Sequence, residues 1–598
     1  MRRPLRRGAV PAGVWFATGT AGVVVLSVIP LVRLGTHLFA GGAGGLARAG
    51  AVATWLATSR QVQAAFLHSL FTTSASAVVT TALALVLAVA ATKTDLPGRR
   101  WVAPALLVPL VVPPHLLTIA YIHWAGPAGA LQQALRWISG AQGPLWSLYG
   151  PGGIVALLVL VTLPLAFFPI RAGLLAVPRE VEEAARCEGA SGWRLLLHVT
   201  LPMVRPYLAA AALLAALSAL SDFGVPALLG IPSGYITLPT LIYREVASAL
   251  GRGFDRPVGL ALALALPAGL LVGLQTKWAQ GAGGWGTGEQ SGKAPFSWGR
   301  GRWAGAVLLV GGLAALVLVP FMAMAAMAMI RAYGLPLRWA HLTLEHFAFV
   351  LGRLEPLRRA LLHSLWLAGS AALVTAGLAG ILGYGVVRAE RQGSTWRRWW
   401  WRPVRLAIAL PGAVPGMVFS LGVLLAWLRP PLPGLELYGT LGLLNVAYFG
   451  RFLAFAFEPV AAGWRDLDPS LEEAAQVDGA SFLQAVRHVL APILRPALAA
   501  GAVLVLTQSF AELTLSAILA GSGTETVGWL IFGLEQGGYA SQSAALGTLL
   551  ALGLVAAGSG RLAARRLGGA WARLRPWASS HLSRARRAEE AGSFWEAA

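Results

Sequence analysis

Charged residues and cysteine are scarce in this chain. Only 12% of its 598 residues are Asp, Glu, Lys or Arg, whereas soluble domains usually carry about 25%. Its single cysteine, Cys187, excludes an internal disulfide framework, and we expect it to be an ordinary small side chain. The shortage of charge argues against a soluble globular protein.

Apolar residues make up 56% of the chain, and the mean hydropathy is +0.65. Apolar runs of roughly 20 residues, the length of helix that crosses a bilayer, recur along its whole length. We interpret the first run as an uncleaved membrane span and not as a signal peptide, because it is long for a signal peptide and lacks a convincing cleavage site. The expected spans are 14–34, 67–92, 101–122, 151–171, 206–228 and 257–275, then 303–330, 361–387, 404–428, 439–459, 496–520 and 542–560.

The positive charge is concentrated in the segments that flank the expected spans. The net charge is +22, and basic segments such as "MRRPLRR" (1–7) and "RQGSTWRRWWWR" (391–402) flank the apolar runs. Placing both termini in the cytoplasm puts most Lys and Arg on that side, as the positive-inside rule requires. We therefore interpret these segments as topology anchors that touch membrane lipid, and expect no nucleic-acid partner.

A charged phrase occurs twice in this apolar chain. Residues 182–191 read "EEAARCEGAS" and residues 472–481 read "EEAAQVDGAS", with an offset of 290. The likeness extends to "HVTLPMVRPYLAA" (198–210) and "HVLAPILRPALAA" (488–500), and "FLHSLF" (66–71) resembles "LLHSLW" (361–366). Six spans in each half make the repeat parallel, with a pseudo-two-fold axis along the membrane normal. Both copies of the phrase should then face the cytoplasm.

Each copy predicts a short helix, a glycine bend and a second short helix outside the membrane, between the fourth and fifth spans of its half. Prolines suit the first turn of each helix, and Ser or Asp residues suit the caps. The alanines leave one face of the helix without bulky side chains, so another protein can approach the backbone closely. Amphipathic helices lying on the lipid headgroups remain the alternative at this point. The residues are Pro178, Gly189 and Ser191 in the first copy, and Asp468, Pro469, Gly479 and Ser481 in the second.

The segments "EAARCEGASGWRLLLHVTLP" and "EAAQVDGASFLQAVRHVLAP" resemble the EAA loop of ABC-importer permeases. The first copy has Val199 where the family has Ile and keeps Leu201–Pro202, whereas in the second Ala491 replaces the Leu. The resemblance implies an all-α membrane protein of about 12 transmembrane helices, formed by two tandem six-helix type I permease halves. It also implies that Glu183, Ala184, Ala185, Gly189, Glu473, Ala474, Ala475 and Gly479 couple the chain to an ATPase.

The implied organisation is a first transmembrane domain at 1–275 with its EAA loop near 176–205, and a second at 303–560 with its loop near 466–495. A Gly-rich cytoplasmic linker, 276–302, joins them, and a basic cytoplasmic tail covers 561–598. The implied partners are a cytoplasmic ABC ATPase, in two copies, and an extracytoplasmic solute-binding protein. The implied location is the plasma (inner) membrane of a prokaryote.

The chain shows no ATPase site of its own. "GTGEQSGKA" (286–294) has Thr287 where a phosphate-binding loop needs Gly and Ala294 where it needs Ser or Thr. We therefore expect no cofactor on this chain, with ATP and magnesium on the partner. "TKTDLPGRR" (92–100) is similar to a loop of major-facilitator carriers but lacks two of its residues. A twelve-helix secondary carrier is thus a distant alternative.

Polar residues inside spans are candidates for a translocation pathway, because their insertion costs about 2.5–3.5 kcal/mol. Asp222 and Glu512 correspond at the 290 offset, and Arg451 is a third such residue, paired with Glu458 or Glu512. Helix–helix hydrogen bonding is the alternative role. Two hard oxygen ligands suit a hard cation, and "SDFGVPALLG" (221–230) resembles the ferric-iron branch of these permeases. Ferric iron is the expected solute, with thiamine, polyamine, phosphonate or sulfate as alternatives; the sequence identifies no metal ligands.

Overall fold

The computed structural model describes residues 12–40, 42–249, 253–281, 298–336, 338–391, 395–428 and 434–553, and no β-strand occurs among them. Within these ranges, nine helices are long and apolar enough to span a membrane, and two bent helix pairs raise the number to eleven. The nine are Phe16–Phe39, Arg60–Lys93, Pro151–Ala176, Gly192–Ser221, Asp255–Trp278, Gly299–Ala328, Glu355–Arg391, Leu441–Asp466 and Phe482–Ser509. The expected all-α membrane architecture of tandem halves is confirmed.

Three expectations fall at the edge of the described residues. The expected twelfth span, 542–560, is helical as far as residue 553 and then leaves the described part of the chain. The expected linker 276–302 overlaps the helix Asp255–Gly281 and the turn Gly299–Gly301, and its centre lies outside the described residues. The whole of the basic tail 561–598 also lies outside them.

The expected third and ninth spans are wrong as straight helices. Each is a bent pair: Arg99–Leu110 with Pro114–Ser139 at 103°, and Trp401–Ala413 with Gly416–Leu428 at 112°. A proline stands at each break, Pro113 and Pro415, where its ring disfavours helical geometry in the preceding residue. The segments after the breaks, Pro114–Ala125 and Gly416–Leu428, are almost entirely buried.

The expected fifth span of each half is also interrupted. The helix Leu201–Ser221 ends at Asp222, and a seven-residue buried helix, Gly224–Gly230, follows. In the second half Ala491–Ser509 is followed by Thr514–Leu519. A further short helix follows in each half before the last span: Leu238–Ser248 in the first and Val527–Gln536 in the second.

The two halves interlock through their first spans. The helix Ile29–Thr36 of the first half packs against Gly416–Leu428 of the second, and Arg302–Ala328 of the second packs against Pro114–Ala125 of the first. Close approach depends on glycine: a Cβ on Gly422 would lie 2.7 Å from the Pro30 carbonyl oxygen. Each half therefore completes its core with a helix from the other.

The two ends of the bundle can be told apart by contacts. Lys93, at the last residue of its helix, lies beside the repeated phrase, and we call this end the loop end. Arg60–Lys93 and Glu355–Arg391 contain 34 and 37 residues, or roughly 50 Å each at 1.5 Å per residue. Their first residues therefore lie at the opposite end of the bundle.

Candidate functional site

The repeated phrase forms a matched pair of short helices, Arg179–Cys187 and Ser470–Val477, which we call the loop helices. Two residues after the end of each helix stands a glycine with positive φ, Gly189 at 84° and Gly479 at 85°, a conformation that favours glycine. The predicted short helix and glycine bend are thus confirmed in both halves.

The predicted second short helix is wrong as a separate element. Gly192–Ser221 is one continuous 30-residue helix, and Phe482–Ser509 is its 28-residue counterpart. Each passes through a single π-helical turn, Leu196–Thr200 and Val486–Leu490. After the glycine, the chain therefore runs directly into the helix of the fifth span.

The caps differ between the two copies. The Ser481 hydroxyl accepts a hydrogen bond from the backbone amide of Gln484, and the side-chain oxygen of Gln484 accepts one from the backbone amide of Ser481. Together they form the predicted cap. Ser191 makes no such side-chain bond. Asp468 accepts a hydrogen bond of 2.9 Å from the Ser470 amide, and donation from the Ser470 amide and hydroxyl lowers the pKa of Asp468.

The first glutamate of each phrase anchors its loop helix to the bundle. Glu182 is buried and accepts from Lys93 Nζ at 2.6 Å and from the Thr200 hydroxyl at 3.1 Å. Glu472 accepts from Arg388 at 2.8 Å and from the Tyr384 hydroxyl at 2.7 Å. The sequence interpretation did not predict this anchoring role for either glutamate. A signal was available, because Lys93 and Arg388 correspond at the 295 offset that relates "FLHSLF" to "LLHSLW".

The predicted coupling residues lie on the outward face of the loop helices. Glu183 is exposed and pairs with Arg179 at 2.6 Å, one helical turn away. The small side chains beside it are exposed or partly exposed, and a Cβ added at either glycine would meet nothing within 4 Å. This face of each loop helix is therefore open to a partner. Its residues are Glu183, Ala184, Ala185 and Gly189, and Glu473, Ala474, Ala475 and Gly479.

The repeated His–Ser pair has a structural role at the opposite end. Ser69 Oγ accepts from the Leu238 amide at 2.8 Å, and His68 Nδ1 lies 2.8 Å from the carbonyl of residue 236. In the second half Ser364 accepts from the Val527 amide at 2.9 Å, and His363 contacts the carbonyl of residue 525 at 3.0 Å. Each pair therefore holds the start of the short helix before the last span.

Asp222 and Glu512 occupy equivalent breaks in the fifth spans. Asp222 Oδ1 accepts from the Val225 amide at 2.9 Å. The Glu512 carboxylate accepts from the Leu515 amide at 2.8 Å and from the Ser516 amide at 3.3 Å. Both carboxylates thus cap the short helix that follows them, which is a structural, hydrogen-bonding role. Their place in a pathway stays a prediction.

Arg451 lies beside the break of the ninth span. Its guanidinium donates to the carbonyl oxygens of Pro411 and Val414, the latter at 2.6 Å. It is within electrostatic range of Glu512, but no ion pair with Glu512 or Glu458 forms among the described residues. Arg451 therefore binds the carboxyl-terminal carbonyls of a broken helix, where positive charge is favourable.

Aromatic rings from both halves meet between the two short helices that precede the last spans. Tyr243 lies 6.3 Å from Phe532 and 6.5 Å from Trp529, measured between ring centroids. Phe223, next to Asp222 in sequence, lies 5.2 Å from Tyr243 and 5.8 Å from Phe532. These four residues form the aromatic closure. It fills the contact between the halves with apolar side chains, toward the end opposite the loop helices.

Comparison with known proteins decides the family. The model of the binding-protein-dependent transport system inner membrane component matches twice, at residues 81–280 and 377–568. The chain belongs to this family. The permease is 28% identical to y4fN of Sinorhizobium fredii, a protein named as an ABC transporter permease. The alignment of 520 residues covers 83% of this chain and 87% of the relative.

Other relatives of the permease carry names with different solutes. The ferric transport system permease protein FbpB of Actinobacillus pleuropneumoniae is 25% identical, over 75% of this chain and 64% of its own length. The 2-aminoethylphosphonate transport system permease protein PhnV of Salmonella paratyphi A is 30% identical, over 32% of this chain and 68% of its own. No group of three His, Cys, Asp or Glu side chains suited to a metal occurs within the described ranges.

Proposed function

We propose that this chain is the permease subunit of an ABC importer and that its two loop helices dock on a separate ATPase. The matched anchoring of the loop helices carries the proposal. Each is tied by a glutamate to the second span of its half and continues through a glycine into the fifth span. Two copies of an ATPase that close on ATP would move both fifth spans together.

The loop end faces the cytoplasm in this proposal, and both termini lie there. ATP and magnesium bind to the partner, and this chain supplies the path for the solute. Moving a two-state equilibrium from 1:99 to 99:1 requires about 5.5 kcal/mol of differential binding. A loop helix joined to the helix of the fifth span by one short glycine bend would convert this binding free energy into movement of the span, whereas a long flexible loop would not.

Ferric iron is the solute that we propose. The support is the carboxylates at the fifth-span breaks and the similarity to permeases named for ferric transport. Relatives named for phosphonate and molybdenum belong to the same family, so the alternatives are phosphonate, thiamine, polyamine or sulfate. A secondary carrier driven by ion gradients remains a distant alternative.

Reconstitution tests the proposal. The chain is placed in proteoliposomes with its ATPase and its solute-binding protein, and uptake of radioactive ferric iron is followed with and without ATP. We expect uptake that depends on ATP and on both partners. Uptake driven by a proton gradient without the ATPase would instead show a secondary carrier. Uptake of phosphonate or another alternative solute in place of iron would leave the permease role and change the solute.

A further inference from the structure

An apolar groove lies at the loop end of the second half. Its volume is about 270 Å³, and its walls come from the second, fourth and fifth spans of that half and from the first span of the chain. We call it the lipid groove, for reasons that follow from its walls. Its lining residues include Phe16, Gly380, Tyr384, Leu483 and Leu498.

The lipid groove presents no free polar side-chain atom among the described residues. Two of its lining side chains carry a polar atom, Tyr384 and Trp464. The Tyr384 hydroxyl donates to Glu472 at 2.7 Å, and Trp464 Nε1 donates to the Gly380 carbonyl at 3.0 Å. A polar solute in the groove would lose its hydrogen bonds to water without replacement, which is unfavourable. The groove therefore suits a hydrocarbon chain.

Apolar side chains around the lipid groove face the bilayer. Leu373 and Ile493 lie on the two helices that form its longest walls, and both are exposed. Leu483, which lines the groove itself, is 53% exposed. Exposed apolar surface of this kind on a spanning bundle is in contact with lipid, whose chains are as apolar as leucine. A lipid chain can therefore reach the groove from the side.

The length of the lipid groove matches one acyl chain. Between Val486 and Leu498, which both line it, the wall is about 18 Å long at 1.5 Å per residue. One leaflet contributes about 15 Å of a hydrocarbon core of about 30 Å. A volume of about 270 Å³ spread over this length leaves room for one chain and not for two.

The first half carries larger side chains at two positions that are small in the lipid groove. Gly380 corresponds to Leu85 at the 295 offset, and Ala491 corresponds to Leu201 at the 290 offset. Leu85 and Leu201 pack against the buried core of the first half. The repeat therefore supplies a natural comparison, in which leucine side chains occupy space that the second half leaves open.

An arginine stands at the loop end of the lipid groove. Arg487 follows the lining residue Val486 and lies one helical turn after Leu483. It is exposed and forms none of the ion pairs found in the described part of the chain. Its counterpart in the first half is Leu197. Since arginine binds phosphate oxygens well, the groove combines an apolar channel with a site for an anionic headgroup.

We propose that the lipid groove binds one acyl chain of an anionic phospholipid, with the lipid phosphate on Arg487. The lipid comes from the leaflet at the loop end, where basic side chains attract anionic headgroups. Tyr384 forms part of the groove wall, and its hydroxyl holds Glu472, the anchor of the second loop helix. A bound chain packs against this ring and supports the anchor. The proposal does not depend on which solute is transported.

The test maps lipid contacts on the purified full-length chain. The chain is placed in nanodiscs of phosphatidylcholine that contain a small fraction of phosphatidylglycerol with a photoactivatable diazirine in its acyl chain. After illumination, the labelled residues are identified by mass spectrometry. We expect more label at Leu483 and Leu498 than at Trp193 and Leu208, their first-half counterparts. A phosphatidylcholine probe with the same diazirine should label the groove less.

Two substitutions introduce the side chains of the first half. Gly380→Leu and Ala491→Leu should each lower the label in the groove about tenfold or more, the effect of excluding about two methylene groups of the chain. A Cβ on Gly380 would lie 3.5 Å from the Leu498 side chain, which is ordinary contact. The added side chain therefore occupies the groove without displacing backbone.

Arg487→Leu tests the headgroup. It should lower the preference for the phosphatidylglycerol probe about fivefold, the equivalent of the about 1 kcal/mol that one basic residue contributes near an anionic surface. Arg194→Leu is the matched control, because Arg194 is exposed at the loop end of the first half. It should leave both the label and the preference unchanged.

Size-exclusion elution shows whether each variant is folded. If one leucine variant misfolds, the other decides, and the labelling of the wild type is decisive without either. Absence of label in the groove, or equal label at the first-half counterparts, would overturn the proposal, because ordinary lipid around the bundle would then explain the result. Equal labelling by the two probes would overturn it as well, since Arg487 would then select no headgroup. Solute uptake is not read in this test, so its outcome is separate from that of the proposed function.

Discussion

Two adjacent glutamates in each repeated phrase have different environments. Glu182 and Lys93 are each only 10% exposed in their ion pair, whereas Glu183 and Arg179 are about half exposed in theirs. The repeated phrase itself does not separate these roles, because both residues carry the same side chain; only the long-range correspondence of Lys93 and Arg388 points to a buried partner. Which of them is buried depends on the side of the loop helix that meets the second span.

Loss of the buried glutamate should destabilise the protein. Removing one partner of a buried ion pair costs about 3–5 kcal/mol, because the remaining charge is left uncompensated, whereas an exposed pair contributes about 0–1 kcal/mol. We expect Glu182→Gln to lower the thermal unfolding temperature in detergent clearly and Glu183→Gln to leave it nearly unchanged. Replacing Lys93 and Glu182 together by Met should recover much of the loss. Equal effects of the two single changes would contradict the anchoring role.

At the scale of elements, the sequence predicted the helices but not their breaks. Proline is tolerated in spanning helices, so Pro113 and Pro415 gave no reason to divide the third and ninth spans. Pro164 and Pro169 illustrate the difficulty, because they lie inside the unbroken helix Pro151–Ala176. The breaks depend on packing against the other half, which a local pattern does not record.

The glycine after each loop helix should be required for coupling. Proline fixes φ near −65°, so Gly479→Pro is incompatible with the observed φ of 85° and should separate the loop helix from the fifth span. We expect ATP-dependent uptake to be lost while insertion and expression remain normal. The same outcome is expected when Glu183 and Glu473 are both replaced by Lys, because their face of the loop helices would carry the opposite charge.

Gly369→Ala is the control for this change, since Gly369 lies inside a helix and an added Cβ meets nothing within 4 Å. It should leave uptake unchanged. Unaltered uptake by Gly479→Pro, at normal expression, would rule out the coupling role of the loop helices.

At the scale of the whole molecule, the offset between the repeated phrases predicted two parallel halves but not their interlocking. Ile29–Thr36 and Arg302–Ala328 each pack against the other half. Apart from Arg33 and Arg302, their sequences are almost entirely apolar or small, and such a surface can pack against many different neighbours.

Blocking the interlocking contact should destabilise the assembled chain. A Cβ on Gly422 would lie within 2.7 Å of the Pro30 carbonyl oxygen, which is backbone and cannot rotate away. We expect Gly422→Val to cost about 1–3 kcal/mol, as overpacking does, and to lower the thermal unfolding temperature. Gly273→Val is the control, because an added Cβ there meets nothing within 4 Å. Equal unfolding temperatures for the two variants would contradict the interlocking.

The most direct test of the account is the reactivity of one thiol placed in turn on each loop helix. Cys187 is exposed on the first, and Val477, its counterpart at the 290 offset, is 87% exposed on the second. A membrane-impermeant maleimide is applied to wild-type protein and to the double variant Cys187→Ser, Val477→Cys in inside-out vesicles, with and without the ATPase. We predict that both thiols react and that bound ATPase protects both. Reaction of the two thiols from opposite sides of the membrane, or no protection of either, would contradict the account.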